Sequence, residues 1–169
     1  MKIVFFSFYY PPDLSAGSFR AVALSEALDK KIMPDDELHI ITTQPNRYAT
    51  HRVNSQNIEV EGKVTIHRIN VPIHTSGMIS QVYTFSVFAF FAFNLCRKIK
   101  PDFLIGTTSR LMTGVLTWIS ARFLRRKYYI DLRDIFSETI SDLFALKSSF
   151  LSTFFRYIFS FLDKQVLNS

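Results

Sequence analysis

The densest group of ionisable side chains is the segment Asp131–Glu138, which reads DLRDIFSE. The planar guanidinium of Arg133 suits bidentate binding of a phosphate or a carboxylate. Asp134 and Glu138 are four residues apart, so in a helix their carboxylates share one face and could accept sugar hydroxyls or act as paired acids in glycoside hydrolysis. An equally acceptable interpretation is a salt bridge from Arg133 to Asp131 or Asp134 that only fixes the loop.

A second candidate is the loop at residues 10–18, which precedes the first predicted helix. At Gly17 the missing Cβ allows a ligand to approach the backbone, and a helix N-terminus offers N–H groups and a positive dipole end. Gly17 and Ser18 are therefore candidates for binding a phosphate or a sugar hydroxyl. A single glycine in place of G-x-G-x-x-G disfavours NAD or FAD. The simpler alternative is that Ser15 or Ser18 caps the helix.

A third polar run, Thr107–Arg110, follows another predicted strand. Hydroxyls and N–H groups in front of a helix suit a polar ligand, which makes Ser109 a candidate contact. Helix capping is the simpler explanation, and the pattern favours it modestly.

Several classes of function are disfavoured by what the chain lacks. There is no Walker loop and no G-x-S-x-G elbow, so an NTPase or a hydrolase triad is unsupported. We expect no metal and no cofactor, because the single cysteine, Cys96, lies in an apolar run and the histidines fit no metal spacing. The aromatic residues lie in apolar runs and are not interleaved with Lys and Arg, which disfavours nucleic acid as a partner.

The elements that must position these residues alternate between strand and helix. This order predicts one α/β domain over residues 1–169, with a Rossmann-like parallel sheet and helices on both faces. The carboxyl ends of such strands meet at one edge, so residues 10–18, 107–110 and 131–138 are expected there. The predicted strands are 2–9, 38–43, 64–71, 103–106, 128–132 and 165–168, and the predicted helices are 19–30, 78–96, 111–124 and 148–163.

Two of these segments resemble family 4 (group 1) glycosyltransferases of the GT-B fold. Tyr9-Tyr10-Pro11-Pro12 with Gly17 and Arg20 is similar to the family's first strand, aromatic-Pro-Pro turn and Arg-bearing helix. Asp131–Phe136 with Glu138 resembles the family's strand-then-Arg-Asp segment, which often reads R-D-[LI]-[WF]-x-[ED]. The most similar subgroup is that of bacterial surface-polysaccharide transferases of the fucosamine type. Many members have two adjacent glycines where this chain has Ala16-Gly17.

The resemblance implies that residues 1–169 are the acceptor-side half of a retaining glycosyltransferase, inactive alone. A C-terminal domain with an E-x7-E motif, absent from this chain, would hold most of the nucleotide-sugar donor, and the acceptor would be a lipid-linked glycan. An open alternative is a non-catalytic Rossmann-like module that binds a nucleotide or a partner. Carried over by position, the catalytic candidates are Arg133, Asp134 and Glu138, and the substrate-binding candidates are Gly17, Ser18, Arg20 and Ser109.

Charge and apolar patterning predict a membrane surface as a further partner. The net charge is +6, and the charge-free stretch Met78–Cys96 is followed by Arg97, Lys98 and Lys100. Residues 148–163 form a helix pattern whose apolar, Phe-rich face looks too wide for a core alone. We therefore expect peripheral contact with anionic lipid at the cytoplasmic, inner face of the cell membrane. A transmembrane crossing by residues 78–96 is disfavoured, because it would split the sheet.

Overall fold

A computed structural model describes residues 1–45, 55–72, 78–108 and 111–132. Four site candidates, Ser109, Arg133, Asp134 and Glu138, lie outside these ranges, as do the predicted helix 148–163 and the predicted strand 165–168. The described helices and strands all belong to one unit, Met1–Asp131.

The described residues form a mostly parallel six-stranded sheet with helices on both faces, which confirms the predicted α/β Rossmann-like fold. The strand order is β3-β4-β2-β1-β5-β6, and every neighbouring pair is parallel except β3 and β4. The strands are β1 (Lys2–Phe6), β2 (Glu37–Thr43), β3 (Ile58–Glu61), β4 (Val64–Ile69), β5 (Phe103–Thr107) and β6 (Lys127–Asp131), and the helices are α1 (Ala16–Lys31), α2 (Met78–Ile99) and α3 (Leu111–Leu124).

The central strands are buried on both faces, as their apolar runs predict. In β1, Val4 and Phe6 belong to the core beneath α2 and α3, while Ile3 and Phe5 belong to the core beneath α1. Side chains alternate between the faces of a strand, so a continuous apolar run supplies both cores at once.

Strand β3 was not predicted, and it pairs with β4 in antiparallel orientation. Its apolar side chains, Ile58 and Val60, alternate with two glutamates but are 57% and 68% exposed, so they add little to the core. Backbone pairing with β4, and ion pairing of Glu59 with Arg68, hold it at the edge of the sheet.

Helix α2 connects β4 to β5, and both strands belong to the same sheet. This is the arrangement expected if the helix does not separate the strands before it from those after it. Its sheet-facing side chains, Phe85, Phe88, Ala92 and Cys96, are buried. Within the described residues, the part of α2 from Ser80 to Ile99 is long and apolar enough to cross a membrane by length and composition alone, and 28% of it is buried.

Helix α3 packs closely on β5 because the strand carries a glycine at the contact. A Cβ at Gly106 would overlap the Oγ1 of Thr117 and lie 3.0 Å from its Cβ. The row of α3 residues on this side is small and buried: Thr113, Thr117, Ser120 and Ala121. This close approach fixes the end of β5, where Thr107 and Thr108 stand.

Candidate functional site

The candidate site lies at the carboxyl edge of the sheet, outside the ends of β1 and β5. The chain passes from β1 through α1 to β2 on one side, whereas β5 pairs with β1 on the other side. Such a reversal of strand order opens a crevice, and ligands of doubly wound sheets bind there. The crevice is bordered by the loop that follows Phe6 and by Thr107 and Thr108.

The loop after β1 is fixed by its own hydrogen bonds. Ser7 Oγ donates to the carbonyl of Tyr9 at 2.7 Å, and Thr43 Oγ1 donates to the carbonyl of Phe8 at 2.8 Å. The Pro11-Pro12 peptide bond is cis. Several hydroxyls at this edge therefore hold the backbone in place.

Ser15 caps α1, which confirms the simpler interpretation of this loop. Its Oγ accepts a hydrogen bond from the Ser18 backbone N–H at 3.1 Å. Gly17 and Ser18 lie in the first turn of α1, and both are buried. The Ser18 side chain has no hydrogen-bond partner among the described residues. Substrate binding by Gly17 and Ser18 stays a prediction.

The principal polar contact at this edge joins Arg20 to Asp131, two residues 111 positions apart. Arg20 Nε donates to Asp131 Oδ2 at 2.7 Å, and Arg20 Nη2 donates to Oδ1 at 2.5 Å. This bidentate pair links the start of α1 to the end of β6 across the end of β5. The hydrogen bond and the negative charge of Asp131 raise the pKa of Arg20.

Asp131 is in turn held by the end of β5. Thr107 Oγ1 donates to Asp131 Oδ2 at 3.3 Å, and the Thr108 backbone N–H donates to the Asp131 carbonyl at 3.1 Å. The Asp131 side chain is 11% exposed, whereas that of Arg20 is 52% exposed. A buried carboxylate thus orients a half-exposed guanidinium, whose Nη1 takes no part in the pair. A guanidinium held this way suits a phosphate or an acidic or hydroxylated group.

Among the described residues, Asp131 pairs with a residue that its local sequence did not indicate. The sequence offered a salt bridge with Arg133, which lies outside the described residues, and the structure pairs Asp131 with Arg20. Sequence spacing carries no signal for a contact between α1 and β6, because only the sheet order brings them together. The resemblance did single out both residues, in two separate segments.

A second polar cluster lies on β2 and β4, away from the crevice. His39 Nδ1 lies 3.2 Å from His67 Nε2, and His39 Nε2 lies 3.1 Å from Glu37 Oε2. Burial, followed by the charge of His39, lowers the pKa of His67. No group of three or more His, Cys, Asp or Glu side chains that could hold a metal ion occurs in the part of the chain that the structure describes.

The sequence matches no protein-family model, and no curated protein matches it either.

Proposed function

We propose that this chain is the N-terminal, acceptor-side domain of a retaining glycosyltransferase of the GT-B type. It would act with a C-terminal domain that holds most of the nucleotide-sugar donor, and transfer the sugar to a lipid-linked glycan. The Arg20–Asp131 pair is the observation that supports the proposal best. It joins the two segments on which the resemblance rests, at the edge where doubly wound sheets bind ligands.

The chemistry of the pair fits this role. Glycosyl transfer needs positive charge beside a departing diphosphate and an acceptor hydroxyl held in line. The half-exposed Arg20 guanidinium, anchored by Asp131, offers such a charge near the start of α1. We assign Arg20 a substrate-binding role and Asp131 the role of positioning Arg20. Roles for Gly17, Ser18, Ser109, Arg133, Asp134 and Glu138 belong to the same proposal.

Transfer assays on the full-length protein test the proposal. The assay offers UDP-, GDP- and dTDP-sugars together with lipid-linked acceptors, and measures labelled sugar in the lipid fraction. Arg20→Lys keeps the charge but loses the bidentate geometry, so we expect kcat/KM to fall about tenfold or more. Asp131→Asn should lower it similarly, because the Arg20 guanidinium loses its anchor.

The matched control is Arg126→Lys. Arg126 also faces an aspartate, Asp102 at 3.8 Å, but this pair precedes β5 and β6 and so lies at the opposite edge of the sheet. Its variant should transfer sugar at the wild-type rate. Folded protein that transfers no sugar from any donor would contradict the enzyme assignment, and nucleotide binding without transfer would favour the non-catalytic module. Full activity in Arg20→Lys would remove Arg20 from the site.

We also propose that the outer side of α2 contacts an anionic membrane surface. Tyr83, Phe90 and Phe91 on this helix are 61%, 65% and 53% exposed. Arg97 follows them, with its guanidinium 5.2 Å from the ring centroid of Phe123 on α3. Exposed aromatic side chains beside basic residues are typical of helices that lie at a lipid interface. The other exposed basic residues near the ends of these helices are Lys98, Lys100, Arg122, Arg125, Arg126 and Lys127.

Vesicle flotation tests the membrane contact. We expect the wild-type chain to float with anionic vesicles and not with neutral ones, and Phe90→Ser/Phe91→Ser to lose most of this binding. The control is Phe19→Ser, since Phe19 is 62% exposed on α1, which packs against the opposite face of the sheet. Equal flotation of the double variant and the wild type would refute the assignment of this surface.

A further inference from the structure

An open groove lies between α1 and the outer strands of the sheet, with a volume of about 570 Å³. Small-molecule sites commonly have volumes of this order. Among the described residues, α1 is the only helix that packs on this face of the sheet. The lining comes from one stripe of α1 (Val22, Ser25, Glu26, Asp29), one face of β3 and β4 (Glu59, Glu61, Val64, Ile66, Arg68), and Tyr10, Pro11, Pro12 and Ser55.

Arg68 brings an incompletely satisfied guanidinium to this groove. Its Nε and Nη2 donate to the two carboxylate oxygens of Glu59, each at 3.1 Å. The Arg68 side chain is 3% exposed, and its Nη1 is buried with no hydrogen-bond partner among the described residues. A buried donor without an acceptor costs stability, so this nitrogen can gain from an acceptor such as a hydroxyl oxygen of a bound molecule.

The remaining charges in the groove are negative. Asp29 faces Lys63, with Nζ and Oδ1 3.6 Å apart, and Glu59 is paired with Arg68. Glu26 and Glu61 form no ion pair within the described residues. Tyr10, whose hydroxyl lies 2.9 Å from Ser25 Oγ, has a pKa raised by burial and further by the charges of Glu61 and Glu26. This excess of carboxylates repels a phosphate and attracts a cation.

We propose that this groove binds a hydroxylated amine of monosaccharide size, such as an amino sugar. Glu26 and Glu61 receive the ammonium group, and Nη1 of Arg68 donates to a hydroxyl oxygen. The rings of Tyr10, Pro11 and Pro12 supply apolar surface for the C–H faces of the sugar. The site is separate from the Arg20–Asp131 pair, and it stands whether or not the chain belongs to a glycosyltransferase.

The test is a titration of the ¹⁵N-labelled chain, followed by NMR, with glucosamine, glucose and glucose 6-phosphate. We expect glucosamine to bind best and glucose 6-phosphate worst, with shifts concentrated at the backbone amides of Ser25, Glu26 and Val64. Equal binding of glucose and glucosamine would show that the amine is not recognised. Preferred binding of glucose 6-phosphate would show that the carboxylates do not repel a phosphate, contrary to the proposal. If none of the three ligands shifts these amide signals, the proposal that the groove binds a sugar is wrong.

The variant that decides the proposal is Glu26→Gln/Glu61→Gln. Both side chains are exposed, so the chain should fold, and we expect glucosamine affinity to fall about tenfold while glucose affinity is unchanged. Asp35→Asn, which removes an exposed carboxylate outside the groove, should bind glucosamine as the wild type does. Equal affinity in the double variant and the wild type would refute the assignment of the two carboxylates.

Discussion

Replacing Gly106 by alanine tests how the end of β5 is positioned. A Cβ on this residue would overlap Oγ1 of Thr117 and lie 3.0 Å from the Thr117 Cβ and 3.3 Å from its Cγ2. A rotation of the Thr117 side chain moves Oγ1 and Cγ2 but not the contact with Cβ, which is fixed to the α3 backbone. Such a rotation would also break the hydrogen bond from Thr117 Oγ1 to the Thr113 carbonyl, which is 2.8 Å long.

The size of the effect follows from these two losses. Overpacking a filled core costs about 1–3 kcal/mol, and a lost hydrogen bond about 1 kcal/mol. Alanine stabilises a strand by roughly 0.5–1 kcal/mol relative to glycine, which offsets a part of this destabilisation. We therefore expect Gly106→Ala to lower the free energy of unfolding by about 1–3.5 kcal/mol. For a chain of this length that corresponds to a Tm decrease of roughly 2–14 °C.

The assay is urea denaturation together with thermal unfolding, with Gly114→Ala as the control. At Gly114 a Cβ would lie 3.1 Å from Cγ2 of Thr108 and 3.5 Å from Cγ2 of Ile130, which is a milder contact. Alanine also gains up to about 1 kcal/mol over glycine inside a helix, so this variant should stay within about 1 kcal/mol of wild type.

A double variant separates the steric cause from other effects. Gly106→Ala/Thr117→Ala removes the Oγ1 and Cγ2 atoms that the new methyl group meets, so its destabilisation should be smaller than the sum of the two single variants. Wild-type stability in Gly106→Ala, or strict additivity in the double variant, would refute the close approach of α3 to β5.

Two further predictions concern His67 and Cys96. The pKa of His67 is lowered in the folded state, so the unfolded chain binds more protons, and stability should fall as the pH drops through about 6.5. Denaturant titrations at about pH 7.5 and about pH 5.5 should show this fall in stability, and His67→Gln should reduce it. An unchanged pH dependence in the variant would show that His67 is not its cause. Cys96 is fully buried, and burial raises its pKa to about 12, so roughly one thiol in ten thousand is ionised at about pH 8. A thiol reagent should therefore label Cys96 only in denaturant, and rapid labelling of the native chain would refute this.

The local elements followed from the sequence because their causes are local. A near-continuous apolar run ended by Pro11-Pro12 predicted a strand at residues 2–9, and the structure has that strand, shorter, at Lys2–Phe6. The alternation of strands and helices predicted a doubly wound sheet, whose carboxyl edge was then the expected place for a ligand. The cap at Ser15 and the buried thiol of Cys96 were predicted in the same way, from a few neighbouring residues.

The contacts that define the candidate sites were decided by tertiary structure. Arg20 meets Asp131 only because β5 and β6 are added beside β1, and no sequence period relates positions 111 residues apart. Strand β3 alternates apolar and acidic residues, but its apolar side chains are exposed, and its place at the edge of the sheet depends on backbone pairing with β4. The groove beside α1 exists because residues from α1, β3 and β4 converge there, and which strands become neighbours depends on the packing of the whole sheet.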